Sequence, residues 1–238
     1  MTAAGRAPPA SNGLPMKPLR FAALAALLLA AVPAWAIDPF NAEYEASWKG
    51  VEADARITLA SAGGNRWNYT LSVGNSLGSA RQTTVFEERG GSWRPLSGND
   101  TTQMLFKKSQ KNASYDWAKG EARWSGDVKP DRMGPVKIQD GDLDAMLLNL
   151  AIIRDMGAGK ALNYRVVDNG VVRQQSYQNL GKDTVSAAGK QLDATKVSRS
   201  SENKQVIVWI ADGYPVPVRI LQKKDGKDDL DLVLKAVR

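Results

Sequence analysis

Two serine motifs and one aspartate cluster have the spacing of catalytic or metal-binding sites. Gly74-Asn75-Ser76-Leu77-Gly78 fits G-x-S-x-G, in which a sharp strand-to-helix turn presents the serine to a histidine base. The chain has 238 residues and no histidine, and no helical pattern follows Gly78, so the motif reads as a turn between strands. Ser201-Glu202-Asn203-Lys204 fits S-x-x-K, which needs its serine and lysine one helical turn apart; here Glu-Asn breaks two strand patterns and the motif also reads as a turn. Asp140-Gly141-Asp142-Leu143-Asp144 opens like a calcium loop, but Ala145 and Ala151 stand where that loop needs Gly and Glu. The aspartates are better suited to cap a helix and meet its positive N-terminal dipole, with Asp140 or Asp142 as the expected cap. No metal and no cofactor is expected. Lys107, Lys108 and Lys111 form a small basic cluster. Lys223, Lys224 and Lys227 form another, interleaved with Asp225, Asp228 and Asp229. Both read as solvated hairpin tips, with an anionic lipid headgroup or glycan as the functional alternative.

The composition closes off most other chemistry. There is no cysteine, hence no disulfide, thiolate metal site or thiol nucleophile. Without histidine there is no Ser-His-Asp triad and no ordinary base at neutral pH. An enzyme would have to use carboxylates alone, two of them roughly 5–10 Å apart in a cleft. The acidic residues fall mostly on outward-alternating positions, so a non-enzymatic protein is expected. Residues 1–36 carry Arg6, Lys17 and Arg20 and no acidic residue, so the formal charge of +7 falls to +4 over residues 37–238, a modest and spread-out balance that argues against a nucleic-acid partner.

Residues 1–36 read as a targeting segment. A basic stretch with Lys17 and Arg20 precedes an unbroken apolar run, Phe21 to Val32, and Ala34-Trp35-Ala36 supplies the small-x-small cleavage pattern. The run is shorter than the roughly 20 apolar residues of a transmembrane helix, so the mature chain is expected to have no membrane span. Residues 1–15 read as an extended start, with cleavage after Ala36 and export to the periplasm. Residues 37–238 are left as one domain.

The elements that must position any site are mostly strands. Ala42, Tyr44, Ala46 and Trp48 alternate with polar residues, as do Val51 to Leu59 and Trp67 to Val73, the period of half-buried strands. Further strand patterns cover 80–89, 92–96, 100–107, 112–118, 121–125, 162–168, 171–177, 180–186, 191–199, 205–210, 216–223 and 229–236. Asn169-Gly170 is the strongest hairpin signal. The exception runs from Asp142 to Met156, where Leu143, Met146, Leu147, Leu150, Ile153 and Met156 form a helical stripe ended by Gly157. The expectation is a mainly β fold: a single antiparallel, strongly curved sheet, barrel or half-barrel, with one amphipathic helix at about 142–156 against it.

Trp48, Trp67 and Tyr69 fall on the inward faces of the first strands, beside the small Ala42, Ala46, Ala53 and Ala55. Trp117 recurs mid-chain. Large and small residues mixed on a concave face can line a cavity, so these four are the candidate ligand-binding residues, for a lipid or other hydrophobic small molecule. The alternative is a cell-envelope scaffold with a dry core that binds another protein through an edge strand.

Several short stretches in a fixed order resemble a bacterial family of exported proteins, the domain of unknown function 3108 family (DUF3108). They are Asp38-Pro39-Phe40 with Tyr44 and Gly50, Tyr115-Asp116-Trp117, Gln139-Asp140, Tyr164-Arg165-Val166-Val167-Asp168 with Gly170, Val208-Trp209-Ile210-Ala211-Asp212, and Tyr214-Pro215-Val216-Pro217-Val218-Arg219-Ile220. The family usually continues Gln-Asp with a basic or polar residue, a leucine and a serine, where this chain has Gly141-Asp142-Leu143-Asp144. The resemblance implies export and a shared fold and carries no established activity. The C-terminal half also looks like the half-open barrel of lipoprotein carriers, an analogy at the level of architecture.

Overall fold

The computed structural model describes residues 37–238, together with Met1 and Thr2. Residues 3–36, which carry the apolar run and the cleavage pattern, lie outside the described residues. Every element below belongs to the unit that ends at Arg238. Among the described residues no helix is long and apolar enough to cross a membrane.

Eight strands come first: β1 Phe40–Trp48, β2 Val51–Ser61, β3 Arg66–Asn75, β4 Gly78–Arg89, β5 Ser92–Met104, β6 Lys107–Asp116, β7 Glu121–Gly126 and the two-residue β8 Val136–Lys137. The helix α1 Leu147–Gly157 follows, then the hairpin β9 Asn163–Asp168 and β10 Val171–Ser176. Five more strands complete the chain: β11 Gln178–Ala187, β12 Lys190–Ser201, β13 Lys204–Ala211, β14 Arg219–Lys224 and β15 Lys227–Val237. Thirteen strands form one antiparallel sheet in the order β11-β12-β13-β14-β15-β1-β2-β3-β4-β5-β6-β7-β8, and the sheet is not closed. Its two runs of strands are joined by the pairing of the first strand with the last, Ala42 opposite Val237 through Trp48 opposite Leu230. Between its two edges the chain runs through α1 and the separate β9–β10 ladder.

Alternation builds the core as expected. On β1, Phe40, Ala42, Tyr44 and Ala46 are buried while the residues between them are not. Irregularities in register at Glu43/Tyr44, Val85/Phe86, Asn179/Lys182 and Gln222/Lys223 mark bulges, which bend and twist a strand. The concave face so formed holds one large apolar cluster, made by strands from both arms of the sheet and by α1. A second, smaller cluster of Tyr115, Ala122, Trp124, Ile138 and Val167 sits under β6, β7 and β9.

Three expectations need correction. Strand patterns 92–96 and 100–107 belong to the single strand β5, which continues through Gly98 and ends before the Leu105-Phe106 tip. The β9–β10 hairpin forms at Asn169-Gly170 but lies outside the main sheet, joined to the chain before α1 by a parallel bridge between Val166 and Leu143. The helix begins at Leu147 rather than 142, because neither Asp140 nor Asp142 caps it. Asp142 Oδ2 instead accepts from the Gln139 N–H at 2.9 Å and pairs with Arg165, while Asp144 Oδ1 accepts from the Leu147 N–H at 2.8 Å. The helix is also buried on most sides, Leu148, Ala151 and Ile152 as well as the stripe, since Leu162, Tyr164 and Val166 near β9 join the same core as the sheet. At its other end Gly157 is the last helical residue, and the left-handed position falls at Gly159, φ 65°.

Candidate functional site

An apolar cleft of about 580 Å³ lies between the C-terminal half of α1 and the concave face of the sheet. Leu150, Ile153 and Met156, one face of the helix at spacings of three, form one wall. Phe40 of β1, Leu59 of β2 and Trp93 of β5 form the opposite wall, and Ile210, Tyr214 and Pro215, around the end of β13, close the third side. Trp93 is fixed in place: its ring packs edge-on against Phe86, and the Arg154 guanidinium lies 4.5 Å from its centroid. Polar groups are confined to a few positions, Asp38, Lys182, Thr195 and Asp212. The cleft is partly open to solvent. Its volume lies within the roughly 300–1,000 Å³ typical of small-molecule pockets.

A second, polar cavity of about 330 Å³ opens toward the other end of the strands, lined by Trp48, Gln82, Asp100, Lys111, Asp168 and Asn169 among others. Behind it lies a space of about 30 Å³ that ends on Thr84 and Asp144. Three carboxylates therefore point inward, contrary to the expectation that acidic residues face out. Burial pushes the Asp100, Asp144 and Asp168 carboxyls up, and mutual repulsion adds to the effect on Asp144, which reaches about 7. Asp144 has both oxygens engaged, by the Thr84 hydroxyl and the Leu147 N–H. The space beside it is about the size of one water. Among the described residues no group of three or more carboxylates is placed to hold a metal ion.

The four candidate aromatics come to four different places. Trp48, half-buried at the end of β1, lines the polar cavity. Trp67 is half-buried against the large cluster. Tyr69 is fully buried and packs edge-on against Phe40, ring centroids 6.3 Å apart, its hydroxyl without a partner. Trp117 lies by the smaller cluster, its Nε1–H donating to the Pro95 carbonyl at 2.7 Å and the Arg94 guanidinium 5.0 Å from its ring. None of them lines the apolar cleft, although Tyr69 touches Phe40, which does. Alternation identifies inward aromatics but not the level along a strand at which a helix leaves a gap. The helical stripe carried part of the missing signal, because Leu150, Ile153 and Met156 share the face of α1 that walls the cleft. Ser76 and Ser201, the two motif serines, sit at hairpin ends, the first in a turn where Asn75 Oδ1 accepts from the Leu77 and Gly78 N–H groups.

An open, curved antiparallel sheet around an inward helix defines a β-barrel-like protein. A crystal structure titled as a beta-barrel-like protein of domain of unknown function DUF1849 from Brucella abortus matches it, with a TM-score of 0.53 at 10% identity, over 84% of this chain and 97% of that one. More narrowly, residues 43–233 match the family described as "Protein of unknown function (DUF3108)", and the chain belongs to that family. No curated protein matches the chain.

Proposed function

We propose that this is a non-enzymatic periplasmic protein that holds a lipid, acyl chain or other hydrophobic ligand in the cleft between α1 and the sheet. The observation that carries the reading is the cleft itself: about 580 Å³, walled by Leu150, Ile153, Met156, Phe40, Leu59 and Ile210, with polar groups few. Removing such a surface from water stabilises a bound apolar ligand by about 25 cal/mol for each Å² covered. The non-enzymatic reading rests on a sequence without histidine or cysteine. Behind the polar cavity, Asp144 has both oxygens engaged by the Leu147 N–H and the Thr84 hydroxyl, beside a space of about 30 Å³ that is too small for a substrate. The periplasmic location rests on the basic stretch, apolar run and Ala34-Trp35-Ala36 of the sequence.

The test is native mass spectrometry of the protein recovered from its own host, followed by lipid extraction, with Met156→Arg beside the natural chain. A stoichiometric lipophile on the natural protein and little or none on the variant is expected. A clean protein mass with no uptake from a lipid mixture would overturn the reading. It would shift the weight to an envelope scaffold, for which the ten-residue edge strand β11 is the observation in favour, since it has a strand partner on one side only.

A further inference from the structure

The hairpin ends of the sheet are not alike. At the end where β1 meets β2, β3 meets β4 and β5 meets β6, large apolar side chains stand in solvent: Val51 at 43% exposure, Leu77 at 50%, Met104 at 40%, Leu105 at 71% and Phe106 fully exposed. The β3–β4 and β5–β6 tips are tied together, the Leu105 N–H donating to the Leu77 carbonyl at 3.3 Å and Gly78 pairing with Met104. Their apolar groups therefore form one patch. Exposed apolar groups gathered in this way mark interaction surfaces more often than chance scatter.

The β5–β6 tip also holds its leucine outward at a cost. Leu105 has φ 46°, the left-handed region that disfavours any residue with a Cβ by about 1 kcal/mol or more. A two-residue turn with that dihedral in its first position favours glycine. Here Leu-Phe occupies it, and neither side chain reaches the core in return. The β5–β6 tip is flanked by positive charge: Lys107 and Lys108 are exposed directly after Phe106, and no acidic residue occurs in 72–81 or 101–111, the acidic Glu52 falling on the β1–β2 side of the patch. An apolar tip with lysines at its base matches the interface of an anionic bilayer, with acyl chains beneath phosphates.

We propose that the β3–β4 and β5–β6 tips form a membrane-docking surface, inserting Leu77, Leu105 and Phe106 into an anionic phospholipid bilayer while Lys107 and Lys108 meet its phosphates. This goes beyond ligand binding and does not depend on it. The walls of the apolar cleft lie at the opposite end of the strands, at Phe40, Leu59 and Trp93, so a docked protein keeps the cleft away from the bilayer.

The absence of cysteine makes a single-site label simple. Ser76→Cys, in the full chain, carries an environment-sensitive fluorophore at the tip and leaves the three apolar groups intact. Ser92→Cys carries it at the opposite end. With vesicles of phosphatidylcholine and phosphatidylglycerol, the label at 76 is expected to brighten and shift to the blue, and the label at 92 to stay unchanged. Phe106→Ser in the Ser76→Cys chain should lower partitioning by about tenfold, the effect of removing one buried aromatic side chain. Lys107→Glu, Lys108→Glu or raised salt should lower it by about fivefold for each lysine withdrawn from the phosphates. No response at 76, or an equal response at 76 and 92, would overturn the proposal and point to a protein partner for the tips. The salt series probes the same lysine–phosphate attraction without any substitution, so a variant that fails to fold does not blunt the test.

Discussion

Asp144 is the residue on which helix, sheet and proton chemistry meet. Its carboxylate receives the Leu147 N–H at the start of α1 and the hydroxyl of Thr84 on β4, and so ties the helix start to the sheet. Burial, with Asp168 and Asp100 adding repulsion, raises its carboxyl from 3.8 to about 7. The folded protein therefore keeps a proton that the unfolded chain releases. It gains relative stability below about pH 4, and that gain is lost as pH rises toward 7. The loss from this group is on the order of 4 kcal/mol for a shift from 3.8 to about 7, and Asp100 and Asp168 act in the same direction. Asp144→Asn keeps an acceptor for Leu147 and adds a donor toward Thr84 without a charge. Thermal denaturation across pH 4 to 8 should show the variant more stable than the natural protein at pH 8, with the difference closing toward pH 4. Parallel curves would mean that Asp144 carries no shifted proton in the fold. Tyr44 offers a simpler case: its buried hydroxyl donates to the Pro217 carbonyl at 2.8 Å, across 173 residues of chain. Tyr44→Phe leaves that carbonyl without its donor and should cost about 1–2 kcal/mol in denaturant unfolding.

Among the elements, the β9–β10 hairpin shows most clearly what local sequence can and cannot specify. Asn169 and Gly170 have φ 54° and 72°, the pair of left-handed residues that a tight antiparallel turn requires, so the turn was legible from two letters. What those letters do not encode is the neighbour: a Cβ on Gly170 would run into the Arg132 carbonyl oxygen, in the segment between β7 and β8. Gly170→Ala should therefore cost more than the roughly 1–2 kcal/mol of a left-handed alanine. Gly226→Ala, at φ 76° with open space around it, should cost only about that much, and equal losses in chemical denaturation would count against the close approach. The same division runs through the fold. Period-two strands at Ala42–Trp48 and Trp67–Val73 were legible because each face meets one environment. The helix start was not, because three aspartates alternate before it and the expected caps, Asp140 and Asp142, are not the one that takes the role. The choice among them was made by tertiary partners, Arg165 for Asp142 and Thr84 for Asp144. The cleft was half legible: the helical stripe supplied Leu150, Ile153 and Met156, while Phe40, Leu59 and Ile210 join it only through the pairing of distant strands.

On the scale of the whole sheet, the cleft lies across the joint between the two arms of the chain. Phe40, Leu59 and Trp93 come from the N-terminal run of strands, Thr195, Ile210 and Tyr214 from the C-terminal run, and α1 from between them. The runs share one ladder in the main sheet, β1 with β15. Because the sheet does not close, nothing else in its hydrogen bonding fixes the spacing of the cleft walls. A ligand lying among all three would bridge parts of the chain otherwise joined by that ladder and by core packing. It would bind the folded state and not the unfolded one, and so raise apparent stability by about 2.7 kcal/mol at one hundred times its dissociation constant. For a unit of this size that corresponds to a rise of about 5–10 °C in Tm. The measurement is a thermal denaturation series with a long-chain fatty acid, on the natural protein and on Met156→Arg, which places a charge on the helix wall at a half-buried position. The natural protein should show a Tm that climbs with the logarithm of ligand concentration. The variant should show a similar Tm without ligand and little climb. A flat Tm in the natural protein would remove the cleft as a site for acyl chains. A climb that Met156→Arg leaves untouched would place the ligand elsewhere, with the polar cavity beside Trp48 the next wall to alter.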